Sequence, residues 1–159
     1  MNYEFKKVDL DTFKLIYTNK EKKEVELEFK RTVEMGSKLQ GITATARINM
    51  FKELTKLGLT KNDLIIKRDD GKGHITYDET NYQEFEKKYI EEESVKVLNE
   101  LIENCFKKNI VELFEDMGMD ITANNSDALK EITIFTQKFS AIITNKEDKL
   151  DSPSESNKE

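Results

Sequence analysis

The chain has 159 residues, enough for one domain with a real core or for two small lobes. Hydrophobic and charged residues each make up 36%, so a modest core and well-solvated helices are expected. The formal net charge of -6, with 32 acidic against 26 basic residues, argues against a nucleic-acid partner, because phosphate contacts need clustered Lys and Arg.

The opening, MNYEFKKVDLD, has no apolar core segment, so no signal peptide is expected. No run approaches the ~18 apolar residues of a spanning helix, and a membrane partner is not expected. Phe13, Leu15 and Tyr17 then alternate with Lys14 and Ile16. Val25, Leu27 and Phe29 alternate with Glu24, Glu26, Glu28 and Lys30. This period of two predicts a hairpin with one apolar face, joined by the polar turn Asn19–Lys23; Tyr3–Val8 is a candidate third strand. The one dense basic stretch, Lys20 to Lys23, is interrupted by Glu21 and reads as part of that solvated turn.

Met35, Leu39, Ile42, Ala46, Met50, Leu54 and Leu57 are spaced by threes and fours, the stripe of one helix. Gly36 and Gly41 weaken its first turns, so the helix is expected to begin late or bend. Gly58 suits the position just past its C-terminus. Asp63 to Tyr77 admits two readings. One is a short hairpin around Asp69-Asp70-Gly71-Lys72-Gly73. The other is a short helix over Thr60 to Ile66, capped by Thr60 with Asp63 three residues on.

The longest helix is predicted from Thr80 to about Lys108, with Phe85, Tyr89, Val95, Leu98, Leu101, Ile102 and Cys105 inward. Ile110 to Met117 is a shorter amphipathic helix ended by Gly118. Asn124-Asn125-Ser126 forms a loop and supplies the next cap. Ala128, Ile132, Phe135, Phe139 and Ile142 give another helical stripe. From Asn145 only Leu150 is apolar, and a tail over 144–159 is expected to be disordered because it cannot bury enough surface to offset its ordering entropy. The expected fold class is α+β: a single domain over 1–143, with an antiparallel β-hairpin region over 1–31 and a mostly helical body over 33–143, followed by the tail.

Chemistry is sparse. RDDGKGHITYDE, Arg68 to Glu79, is nearly spelled as an EF-hand loop, with Asp70, Gly73, Ile75, Thr76 and Glu79 at matching positions. Arg68 and Lys72, however, stand at the first and fifth ligand positions, and each replaces a ligand oxygen with a repelling cation. The same stretch lacks the spacing of a phosphate-cradling loop. The only cysteine, Cys105, lies in an apolar helical run far in sequence from the only histidine, His74; a buried small residue and a surface turn residue are the expected roles. No intrachain disulfide is possible, which suits a reducing compartment. No catalytic residue, metal site or cofactor is expected.

The order of a polar β-rich start, LTKLGLTKNDLIIK, YDETNYQEFEKKYIEEESVKVLNELIENCF and IVELFEDMGMD resembles that of tail assembly chaperones of siphophages and prophages from low-GC Gram-positive bacteria. The end, KFSAIITNKEDKLDSPSESNKE, is similar in style to theirs. The resemblance implies a non-enzymatic, cytoplasmic protein of virion assembly. Such a protein binds the tape measure protein, keeps it soluble, helps recruit tail tube subunits and leaves before the particle is complete. In many such phages a programmed frameshift near the C-terminus gives a longer product, and a tail from Asn145 is compatible with the shorter product of such a pair. A homo-oligomer is compatible with coating a long client. Ile132, Phe135, Phe139 and Ile142, beside the tail, are the candidate partner-binding face. Two rivals remain: a structural or adaptor protein retained in a phage or host assembly, and an enzyme built from carboxylates around Asp69, Asp70, Asp78 and Glu79.

Overall fold

The computed structural model describes residues 2–121 and 126–146. Its fold is α+β: an N-terminal antiparallel sheet followed by helices. Where the sequence suggests one domain over 1–143, the described residues group into two compact units. One is drawn from Met1–Gln40 and Val97–Glu159, the other is Gly41–Lys96. Of the tail expected over 144–159, residues 147–159 lie outside the described residues, as do Asn124 and Asn125 of the expected loop.

In the first unit, β1 (Tyr3–Lys7), β2 (Thr12–Thr18) and β3 (Glu24–Lys30) form a three-stranded sheet in the order β1-β2-β3. The register pairs Phe5 with Leu15, Phe13 with Phe29 and Tyr17 with Val25, so the predicted apolar residues share one face. Asn19 Oδ1 accepts from the amides of Glu21 (3.0 Å) and Lys23 (2.9 Å), shaping the turn between β2 and β3. Four helical pieces complete the unit: α1 (Val33–Gln40), α3 (Thr80–Phe106) from Val97 onward, α4 (Ile110–Asp116) and α5 (Ser126–Ile143). Gly36 lets α1 approach α5; a methyl group built there would stand 3.4 Å from the carbonyl oxygen of Ile143.

The core of this unit is aromatic. Phe106 lies 5.1 Å from Phe29 and 5.6 Å from Phe139, ring centre to ring centre, and Phe135 lies 5.3 Å from Phe5 and 5.5 Å from Phe114. These edge-on and tilted pairs add directional attraction to a large buried area. Asn109 caps α4, its side chain accepting from the Glu112 amide at 2.9 Å.

The second unit holds α2 (Ile42–Lys56), a 3₁₀ turn (Lys61–Leu64), β4 (Ile66–Asp69), β5 (Ile75–Asp78) and α3 up to Lys96. The stripe predicted from Met35 to Leu57 is therefore two helices, broken at Gly41. Gly58, at φ 70°, adopts the left-handed geometry that ends α2, as expected. The two readings of Asp63 to Tyr77 both occur, end to end. The Thr60–Asp63 capping box closes the 3₁₀ turn, and the β4–β5 hairpin follows.

The inward face of α3 is shifted from expectation. Val95 is 59% exposed, while Val97 is 8% exposed and Phe106 2%. Leu101 and Ile102 are buried as expected; the buried line runs through them from Val97 to Phe106, a helical spacing that leaves Val95 outside.

Candidate partner-binding surface

The Arg68–Glu79 stretch folds as a hairpin, not as two helices around an ion loop. Asp70 Oδ1 accepts from the amides of Lys72 (2.7 Å) and His74 (3.2 Å), and Asp70 Oδ2 meets His74 Nδ1 at 2.9 Å. Asp69 Oδ1 accepts from the Gly71 amide at 2.9 Å. Arg68 Nη2 sits 3.0 Å from Asp78 Oδ2, so the cation that spoils the first ligand position neutralises a carboxylate of the same loop. Hydrogen bonds from the Thr80 hydroxyl and amide, then from Arg68, hold the Asp78 carboxyl down to about 2. The Asp70 carboxyl is also held below its ordinary range, first by the Lys72 amide. A carboxylate meant to donate a proton near neutral pH needs the opposite shift. Among the described residues no group of three or more His, Cys, Asp or Glu is arranged to hold a metal.

Cys105 is half-buried and lines a cleft of about 370 Å³ with Phe29, Met35, Leu101, Glu34 and Lys38, among others. Burial pushes its thiol up to about 11, away from the thiolate that nucleophilic chemistry requires. His74 is an exposed turn residue whose contact is with Asp70.

The candidate face on α5 points inward. Phe135 and Phe139 are fully buried, Ile142 is 4% exposed, and Ile132 is half-buried. In this conformation the face packs into the core of its own unit, because Phe135 and Phe139 complete the aromatic cluster with Phe5, Phe29 and Phe106.

Exposed large apolar residues occur on several elements, among them Ile66, Ile75 and Tyr77 of the hairpin; on α2 they form a line. The inner line of that helix, Ala46, Met50 and Leu54, is buried. Its opposite line, Ala44, Ile48, Phe51 and Thr55, is exposed, with Ile48 at 55% and Phe51 at 43%. Spacings of four, three and four put these residues on one helical face. The apolar stripe expected from the sequence is the inner line; the outer line is not part of that expectation. Its signal was present: a helix with apolar residues on two opposite lines can bury one line and leave the other without a partner. Arg47 Nε holds Glu86 Oε2 of α3 at 3.1 Å, fixing the side of α2 that faces the rest of its unit.

No family model matches the chain, and no curated protein or solved structure matches it significantly. Among the described residues, no helix is long and apolar enough to cross a membrane.

Proposed function

We propose that the chain is a non-enzymatic phage tail assembly chaperone that binds the tape measure protein, keeps it soluble and helps recruit tail tube subunits. The reading rests on the resemblance in element order. The observation that carries it is the outer line of α2, where Ile48 and Phe51 are left exposed on a regular helix. A holdase for amphipathic helices needs such a face, because an incoming helix buries its own apolar stripe against it. Of the candidate carboxylates for an enzyme, Asp69, Asp70 and Asp78 are engaged in turns and an ion pair of the hairpin. The protein would act in the host cytoplasm and be missing from the finished virion.

The test is co-expression of the tagged chain with the large coiled-coil-rich protein encoded just downstream of its gene. A soluble complex that disappears when the chain is omitted supports the chaperone. If no complex forms and the chain is found in purified particles, the structural or adaptor role replaces it.

A further inference from the structure

We infer that the outer face of α2 docks an acidic amphipathic helix of a partner protein, with Ile48 and Phe51 under the partner's apolar stripe and Lys52 and Lys56 against its carboxylates. The inference deepens the chaperone reading and rests on it in taking the occupant to be helical; the charge of that occupant comes from this face alone.

The charged residues exposed on α2 are Arg47, Lys52 and Lys56, while its one acidic residue, Glu53, is half-buried. Arg47 is held by Glu86. Lys52 and Lys56 make no ion pair among the described residues. They stand four apart, one row beside the Ile48–Phe51 line. A helix whose exposed charges are all basic, in a chain of net charge -6, is a local reversal of sign. It selects an occupant that is apolar along one line and acidic along its flank.

Other occupants fit less well. A second copy docked through the same face would set Lys against Lys with no exposed carboxylate on α2 to relieve it. A nucleic acid needs a dense array of cations, and the centre of this face is Ile48 and Phe51. An anionic membrane surface needs a broader apolar face than two large side chains, and would repel the rest of an acidic chain.

The experiment measures binding of the full chain to two synthetic amphipathic helical peptides by fluorescence anisotropy. Both carry the same Leu and Ile stripe; one has Glu along its flanks, the other Lys. The full chain should bind the Glu-flanked peptide at least about tenfold more tightly than the Lys-flanked one. Ile48→Asp or Phe51→Asp should weaken that binding by at least about tenfold, with an unchanged circular dichroism spectrum. The paired change Lys52→Glu with Lys56→Glu, which leaves the apolar line intact, should reverse the preference. No binding, equal binding of the two peptides, or a preference unaltered by the charge reversal would overturn the inference. So would displacement of the peptide by phosphatidylglycerol vesicles. Co-expression separates the two proposals. If the wild-type chain recovers the downstream client and the Ile48→Asp chain recovers it equally, the docking face is wrong and the chaperone stands. If the wild type recovers no client yet binds the Glu-flanked peptide through α2, the face stands and the chaperone falls.

Discussion

Arg31 donates from Nη1 to the carbonyl oxygen of Ile142 at 2.8 Å, joining the residue after β3 to the last turn of α5. Its Nη2 donates to the Leu10 carbonyl at 2.7 Å, its Nε lies 3.5 Å from Asp11 Oδ1, and its guanidinium stands 5.0 Å over the Phe13 ring. One buried side chain thus ties the β1–β2 turn, the sheet and the C-terminus of α5, where a positive charge also meets the negative end of the helix dipole. Arg31→Met keeps the volume but removes the guanidinium from both carbonyls, leaving that of Ile142 with the Asn145 amide at 3.1 Å and that of Leu10 without its charged donor. The expected loss is about 3 kcal/mol, two lost charge-assisted bonds partly offset by easier burial of a neutral side chain. At this chain length that lowers Tm by about 9 °C. Arg31→Lys, with one ammonium for both carbonyls, should fall between wild type and Met in a thermal melt. A Met variant as stable as wild type would show that the clamp is incidental.

Phe139 is fully buried, 5.6 Å from Phe106 and 5.9 Å from Phe29 between ring centres. Phe139→Ala should cost about 4 kcal/mol, the transfer of the ring plus the cavity it leaves. Phe139→Asp and Phe135→Asp should abolish cooperative unfolding in urea, because each buries an unpaired carboxylate. Ile48→Asp, on the exposed face of α2, should change stability by less than about 1 kcal/mol. Urea titrations of the variants together separate the inward face of α5 from the outward face of α2. A folded Phe139→Asp protein would reopen α5 as a partner-binding face.

Sequence legibility followed how many restraints each pattern carried. Phe13, Leu15 and Tyr17 face Phe29, Leu27 and Val25 in register, so both strands announced the same face and a slip of one residue would have turned every aromatic outward. The capping box of Thr60 and Asp63 and the glycine turn of the hairpin were both visible, because each depends on local backbone chemistry alone. Val95 and Val97 were not distinguishable: both fit a plausible helical line on α3, and only tertiary packing chose Val97. Phe135 and Ile48 failed in opposite directions for a related reason. Periodicity shows that a line is apolar, while burial depends on what the rest of the chain brings to it. Arg31 carried no signal, because its partners are backbone carbonyls 21 and 111 residues away in sequence.

Tyr17 donates its hydroxyl to Asp116 Oδ2, and Lys108 Nζ approaches the same oxygen at 3.1 Å. The bond ties the central strand to the end of α4 and should contribute about 2 kcal/mol, as a hydrogen bond to a charged acceptor does. Its pH dependence follows from both partners. The Asp116 carboxyl is held below its ordinary value, chiefly by Tyr17, so its contribution is present above the unfolded value near about 3.9 and is lost as pH falls through the lower folded one. Burial raises the Tyr17 hydroxyl, so its contribution is present below about 10 and declines as pH climbs past that value. The stability difference between wild type and Tyr17→Phe should therefore be largest between about pH 5 and 9 and shrink at pH 3. A difference independent of pH would mean that the hydroxyl is not bonded to a carboxylate.

Cys105 offers the simplest chemical probe of the first unit. Burial pushes its thiol up to about 11, against the opposing charge of Lys107. An unfolded cysteine titrates near about 8.5, and only the thiolate attacks a disulfide reagent. At pH 7.5 the folded chain should therefore react with Ellman's reagent more than about a hundredfold slower than the chain in urea, through loss of thiolate and of access together. The same shift sets a stability trend in alkali. Below about 8.5 the thiol is protonated in both states; above it the unfolded chain gains a charge that the folded chain resists. Stability should then fall as pH rises from about 9 to 11 and level off beyond it, and Cys105→Ala should remove that part of the slope. Equal labelling rates of folded and unfolded chain would place Cys105 at the surface, and the packing of α3 from Val97 to Phe106 would have to be redrawn around it.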